Sequence, residues 1–456
     1  MIFRRNRHDD DDYDDEEDDL LDDDELDDDD DLDDEFDDDE EELETVLFQG
    51  ATGGREVDLS ENAGLVRAAL LPVKELISDA IDRHCERMII EPRQKGSIVR
   101  LDIDGVGYAG DRYPVKQALG VTQMIKVLAG LDSKVRDKKQ AGGIKAQFMG
   151  VPYKLEVNSI PTQYGAERVI VKFRNMKERL ESAAQLGISD ELKARIRNLT
   201  NRQNGLFLVC GPSGSGVTRT LHGAILCVDL YLTTIFNLQE GLDTSEVPGL
   251  SDYDYQSEFS FSENLIRAHR KEADGAIVNP ITSAEEATKY IKNCDKMTLF
   301  TEMSAPSAAH ALKKLVELVG DPKLVAEHVR GVLCPRLIRK LRDDIKEAYR
   351  PNPKLIQQLG LPPETNILYR PPTPIVDEDD EEEADYGEIP FEGRTAVFEL
   401  IEMTDDIKKL LISGADAKEI SQKAKSLGMP NHQAGAMDLV ARGITSLEEV
   451  RRAFKG

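Results

Sequence analysis

Residues 211 to 218 read Gly-Pro-Ser-Gly-Ser-Gly-Val-Thr. The spacing is that of a phosphate-binding loop, G-x-x-x-x-G-K-[ST]. In such a loop backbone N–H groups surround phosphate oxygens, a Lys ammonium meets the outer phosphates and a hydroxyl meets Mg²⁺. Gly211, Gly216 and Thr218 stand at their places, but Val217 stands where the lysine belongs. The candidate anion cradle is Gly211, Pro212, Ser213, Gly214, Ser215, Gly216, Val217, Thr218 and Arg219, with Thr218 as the candidate Mg²⁺ ligand. An isopropyl group carries no charge, so the loop points to a nucleotide-binding fold and removes part of its chemistry. Arg219 is one residue further on, which turns it about 100° round a helix from the lysine direction.

The elements around the loop are those it requires. Leu206 to Cys210 is a short continuous apolar run entering the glycines, and Thr218 to Val228 continues with helical spacing. Buried-strand candidates follow at Thr233–Leu238, Gly275–Val278 and Met297–Thr301, separated by helical stretches at 262–269, 284–293 and 308–319. Alternating strands and helices imply a largely parallel sheet covered on both faces, with the loop at its carboxyl edge. Upstream, Leu65–Ala80 and Val121–Ala129 have helical spacing. Met88–Ile90, Ile98–Ile103, Tyr153–Val157 and Arg168–Phe173 read as strands, with turns at Asp104-Gly105 and Gln163-Tyr164-Gly165. Arg174–Gln203, Val325–Arg350 and Arg394–Lys455 read as helical, with Thr445 or Ser446 as N-cap of the last helix. The expected organisation is an acidic tail over 1–58, an α+β domain over 59–174 and a linker helix over 175–200. A phosphate-loop domain over 201–350, a Pro- and acid-rich insertion over 351–392 and a helical domain over 393–456 complete it.

The chain has 456 residues and a formal net charge of −30, unevenly placed. Residues 1 to 45 hold 29 Asp/Glu against three Arg, and Asp377 to Glu388 holds nine more carboxylates. The remainder is slightly basic, about +5. The tail has too few apolar residues to collapse and is expected to be disordered, either a solubilising segment or an arm for a basic partner. Five scattered cysteines without a CxxC pair indicate a reduced protein with neither disulfides nor a zinc knot. The N-terminus lacks an apolar signal segment, and no stretch reaches the length of a membrane span. The scattered histidines lack metal-ligand spacing and read as surface or packing residues.

Motifs beyond the loop carry a resemblance. Ile90-Glu91-Pro92, Val99 to Gly105, Leu128 to Asp132, Pro161 to Gly165, Gly393 to Glu399 and Gly443 to Val450 resemble segments of the ring-forming ATPases of type II secretion and type IV pilus assembly. The likeness covers about residues 60 to 455. It implies an α/β fold: a PAS-like α+β domain, a RecA-like P-loop NTPase domain with a parallel-rich sheet, and a small helical bundle. It also implies ATP and Mg²⁺ as ligands and a cytoplasmic hexamer, homomeric or shared with related ATPases. Such a ring would be peripheral to the inner membrane, docked on secretion or pilus platform proteins, without direct nucleic-acid binding.

The family's charged positions are altered. Its acidic motif falls on Thr234 to Glu240, with Phe236 and Asn237 in place of the carboxylate pair. Its Walker B glutamate falls on Pro280, after Asn279, and its motif histidine on Met303. An N-domain arginine becomes Gly143, the RVS segment reads Glu156-Val157-Asn158, and Asp102 replaces another arginine. Its zinc cysteines fall on Arg342 and Ile345, leaving Cys334. Phosphoryl transfer is driven by charge stabilisation, so these losses remove the means of hydrolysis. Three readings follow: a non-hydrolysing subunit of a secretion or pilus motor, a working ATPase with unusual ligands, and an adaptor using its acidic tail.

Overall fold

A computed structural model describes residues 45–456 except 56, 58, 163–164, 202–203, 240–246, 362–363, 374–388 and 456. The acidic run of residues 1–44, the turn residues Gln163 and Tyr164, Glu240 and the carboxylates of 377–388 therefore lie outside the described residues.

The first layer is a seven-stranded antiparallel sheet. It contains β1 (Leu47–Ala51), β2 (Cys85–Arg93), β3 (Gly96–Ile103), β4 (Val106–Pro114), β5 (Gln140–Phe148), β6 (Val151–Pro161) and β7 (Glu167–Asn175), ordered β1-β5-β6-β7-β2-β3-β4. Alternation fixes its faces: Leu155, Val157, Val169, Val171, Met88 and Ile90 point to one side and are fully buried. That side is covered by α1 (Ala63–Asp82) and α2 (Val115–Leu128), through Val73, Ile77, Val121 and Ile125. Lys126 of α2 is also buried there. Its ammonium donates to Glu167 and to the Val135 carbonyl, both at 2.6 Å, and Ser159 donates to the same carboxylate.

The second layer is a six-stranded sheet of β8 (Leu206–Gly211), β9 (Ile235–Asn237), β10 (Gly275–Ile277), β11 (Thr298–Ser304), β12 (Val329–Leu341) and β15 (Phe391–Glu402), ordered β15-β12-β8-β11-β10-β9. Five strands are parallel and β15 is an antiparallel edge. The sheet is packed on both faces. The helices of this region are α3 (Asp190–Asn201), α4 (Val217–Ile225), α5 (Phe261–Arg270), α6 (Ala284–Asn293), α7 (Ala308–Val319) and α8 (Pro322–His328). A small ribbon of β13 (Glu347–Tyr349) and β14 (Leu368–Arg370) flanks α9 (Pro353–Leu359), and α10 (Asp405–Ile412), α11 (Ala417–Ser426), α12 (His432–Ala441) and α13 (Leu447–Lys455) close the chain. The α/β fold with a parallel-rich sheet is the expected one.

Several local expectations change. Helix over Val325–Arg350 gives way after His328 to the thirteen-residue strand β12. Gly331 and Pro335 suit a helix interior poorly, and a continuous apolar run buried between β8 and β15 is strand-like. The start of the C-terminal segment is likewise strand rather than helix, because β15 pairs with β12 through Glu402. The boundary at 58 falls after β1, which pairs with β5 and buries Val46 and Ala51. Within Arg174–Gln203 a 3₁₀ turn spans Ala183–Leu186 and the α-helix only Asp190–Asn201. Ser446 caps α13, its hydroxyl accepting from the Glu449 N–H at 3.1 Å.

Candidate functional site

The loop sits where β8 ends at the carboxyl edge of the parallel strands and α4 begins. Gly214 and Gly216 take left-handed backbone conformations, φ 81° and 82°. Gly216 is the N-cap of α4, and no side chain caps that end. A Cβ at Gly216 would also lie 3.3 Å from Leu337. The glycine scaffold therefore keeps the shape of an anion cradle.

Its filling differs. A Cβ at Gly211 would lie 2.8 Å from a Val217 methyl, so the valine is folded back against the loop and joins the apolar cluster beneath α4. The N–H and the hydroxyl of Ser215 both donate to the Pro212 carbonyl, at 3.2 and 2.8 Å. Arg219 reaches away to Glu178 at 2.9 Å. Pro212 and Ser213 are exposed at the tip. Lys314 of α7 donates to the carbonyl of Ser304, the residue opposite Gly211 in β11.

Thr218 has a partner that sequence patterns did not suggest. Its hydroxyl donates to Glu302 of β11, 2.9 Å from Oε2 and 3.3 Å from Oε1. Glu302 is half-buried, and burial pushes its carboxyl above the usual range, against the Thr218 hydrogen bond. Among the described residues it has no ion-pair partner. The cue was a lone acid in a largely buried strand next to β8, visible only once strand order is known.

The other altered positions are explained by packing. Phe236 of β9 stacks on Tyr253, ring centroids 5.5 Å apart. Asn279, just beyond β10, accepts the Thr301 hydroxyl at its carbonyl, and Pro280 follows it. Met303 is buried opposite Cys210. A Cβ at Gly143 would lie 2.5 Å from the Thr52 hydroxyl, so the residue that supports β1 leaves no room for an arginine. Asp102 is held by Arg87 and Arg100. Cys334 is buried in mid-strand, and Arg342 pairs with Asp344. A hydrogen bond from the Cys210 thiol pulls the Cys334 thiol down to about 6 against its burial. His432, read from sequence as a packing residue, faces the Cys334 carbonyl at 2.7 Å.

Loop, linker and N-terminal sheet enclose a cleft of about 2460 Å³. Arg87, Arg100, Lys172 and Arg174 line one wall and Ser213, Gly214 and Gly216 the other. The loop's own donor set does not fit the outer phosphates of a nucleotide. Val217 takes the lysine's place and Arg219 is turned to Glu178, whereas Thr218 and Glu302 together are oxygen donors of the kind Mg²⁺ takes.

Residues 62–452 match the family described as type II/IV secretion system protein. The chain belongs to that family. Among secretion-family relatives it is 25% identical over 402 residues to the type II secretion system protein E of Xanthomonas campestris, covering 87% of this chain and 68% of that protein. It is equally 25% identical over 387 residues to the type IV pilus assembly ATPase PilB of Thermus thermophilus, of which it spans only 42%. The fold is shared with the Legionella pneumophila ATPase DotB, with a TM-score of 0.56 at 14% identity over 85% of this chain and 96% of that one. No described helix of this family member is long and apolar enough to cross a membrane.

Proposed function

We propose that this chain is a non-hydrolysing member of the secretion ATPase family, a nucleotide-binding or structural subunit of a secretion or pilus-assembly motor. The observation that carries the reading is the loop's loss of positive charge, with Val217 in the lysine position and Arg219 turned to Glu178. Developing charge on a transferred phosphoryl group needs cations close to it, and with these two residues so placed the loop supplies none of its own. Altered residues at Phe236, Asn237, Pro280, Met303 and Gly143 support the same direction, because they come from separate segments; Phe236 and Met303 serve packing instead, and Thr52 fills the space at Gly143. As family membership suggests, the subunit would act in a ring with itself or with related ATPases, on platform proteins at the cytoplasmic side of the inner membrane.

Calorimetric titration of ATP–Mg²⁺, with a hydrolysis assay on the same sample, tests the reading. Weak binding or binding without turnover is expected. Turnover at the rate of lysine-bearing relatives would reject it. One feature favours a second reading, a working ATPase with unusual ligands: Glu302 supplies an acid beside Thr218. In that case turnover would be present and would disappear in Glu302→Gln.

A further inference from the structure

Among the described residues, the helices packed on the N-terminal sheet, α1 and α2, lie on one face. The opposite face is set by the partners of its buried residues, and cross-strand register places cations on it in rows. Lys145 of β5 is opposite Lys154 of β6, which is opposite Arg174 of β7. In the next row Lys172 of β7 is opposite Arg87 of β2. Like charges directly opposite one another weaken a sheet. Arg100 and Arg168 add to the cations of this face, and Arg93 and Arg112 lie on the same side by register, against the carboxylates Glu91, Asp102 and Glu156. Glu91 is taken up by a bidentate contact with Arg168, and Asp102 by Arg87 and Arg100. Among the described residues no carboxylate pairs with Lys145 or Lys172. Glu156 lies opposite Lys172 and pairs with Lys154 at 4.0 Å, but Lys145 opposite Lys154 adds nothing to sheet stability, and binding an anionic partner gives that pairing a reason.

The dimensions and chemistry narrow the partner. From β5 to β2 the cations cross three strand spacings, roughly 14 Å, and from Arg168 to Arg174 they run roughly 20 Å along β7. The cleft in front of part of this face, about 2460 Å³, exceeds the few hundred to roughly 1,000 Å³ of small-molecule sites. A bilayer surface cannot enter a cleft. Single-stranded nucleic acid is held by aromatic platforms, whereas the partly exposed residues between the cations are Ile160, Ile170 and Asn158. Carboxylates interspersed among the cations also break up a phosphate track. A polypeptide with acidic residues separated by apolar ones matches both the charges and the isoleucines.

We infer that the helix-free face of the N-terminal sheet is a docking surface for an acidic polypeptide segment of a partner protein, seated across β5, β6, β7 and β2. This inference stands apart from whether the phosphate loop hydrolyses nucleotide.

The test is fluorescence anisotropy on the full chain with a fluorescein-labelled peptide in which Glu alternates with Leu and Ser. Single-stranded oligonucleotide, phosphatidylserine vesicles and ATP serve as competitors. Binding that weakens with salt is expected, with a loss of about tenfold or more in K154E/K172E. The control variant K354E, on α9, should bind like the parent. Circular dichroism melts check that the double variant is folded; if it is not, K172Q alone gives the readout. Zero-length lysine–carboxylate cross-linking should join the peptide to Lys145, Lys154 or Lys172. Cross-links confined to other lysines would overturn the inference. So would unchanged affinity in a folded variant, cross-links from these lysines only to the chain's own acidic residues, or stronger binding of oligonucleotide or vesicles.

Discussion

Val217 and Glu302 change the loop in one direction. The first withdraws a positive charge and the second adds a negative one beside the hydroxyl of Thr218. At the separations of neighbouring side chains each change is worth a few kcal/mol at intermediate dielectric, about 3 kcal/mol at 5–6 Å. Glu302→Gln should therefore raise the affinity for metal-free ATP, read by calorimetry in EDTA, about fivefold or more. V217K/E302Q should raise it further. The parent should also bind phosphoanions better as pH falls. Burial raises the Glu302 pKa, so the carboxyl becomes neutral at a pH above the ordinary carboxylate range, and repulsion is lost below it. E302Q should show no such rise. A flat profile in both proteins would mean that Glu302 does not face the anion.

The N-terminal sheet is held on its helices by an apolar core with one buried ion pair in it. Lys126 on α2 and Glu167 at the start of β7 are both almost fully buried, and Ser159 and the Val135 carbonyl complete their bonding. Truncating one partner strands the other charge. Lys126→Met should cost about 3–5 kcal/mol, seen as a lowered denaturant midpoint at unchanged m-value. The double replacement K126M/E167M should recover much of that loss. At the other end of the chain, α13 is fastened to β12 by Glu449, which accepts from the Arg339 N–H and side chain and from Arg452. Burial pushes the Glu449 carboxyl up, but these bonds overcome it and hold it below the usual range. A depressed carboxyl contributes stability above the ordinary carboxylate range and loses it as pH falls through the depressed value. Glu449→Gln should therefore lower the melting temperature at neutral pH and remove part of the acid sensitivity.

The two sheets are joined by a few polar clamps. Arg394, at the start of β15, pairs with Glu86 and with Asp104 of the N-terminal layer, and the Gly393 N–H donates to Asp104 at 2.8 Å. Arg339 donates to the Tyr108 hydroxyl at 3.0 Å while stacking on Phe391. These contacts keep the cationic sheet face opposite the phosphate loop. Arg394→Ala should leave each layer folded and loosen their docking. Hydrogen exchange should rise in β2 and the 175–182 segment and stay unchanged in β8 and β11. Uniform exchange change across both sheets would instead mark Arg394 as a general stability residue.

Local signals made the glycine loop, the strand before it, the helix after it and the alternation of the N-terminal strands legible, because apolar periodicity and turn residues act over a few neighbours. β1, β5 and the strand nature of β12 were not, since a buried edge and a central parallel strand take their identity from partners far along the chain. The sequence by itself determined that a phosphate cradle had lost its lysine and its surrounding acids and arginines, because those are facts of residue type. Only the tertiary structure decided that Glu302 meets Thr218 across 84 positions, that Thr52 fills the place of an arginine at Gly143, and that cations from several strands share one sheet face. Electrostatic and steric consequences depend on distances of a few ångströms, and strand order and register set those distances.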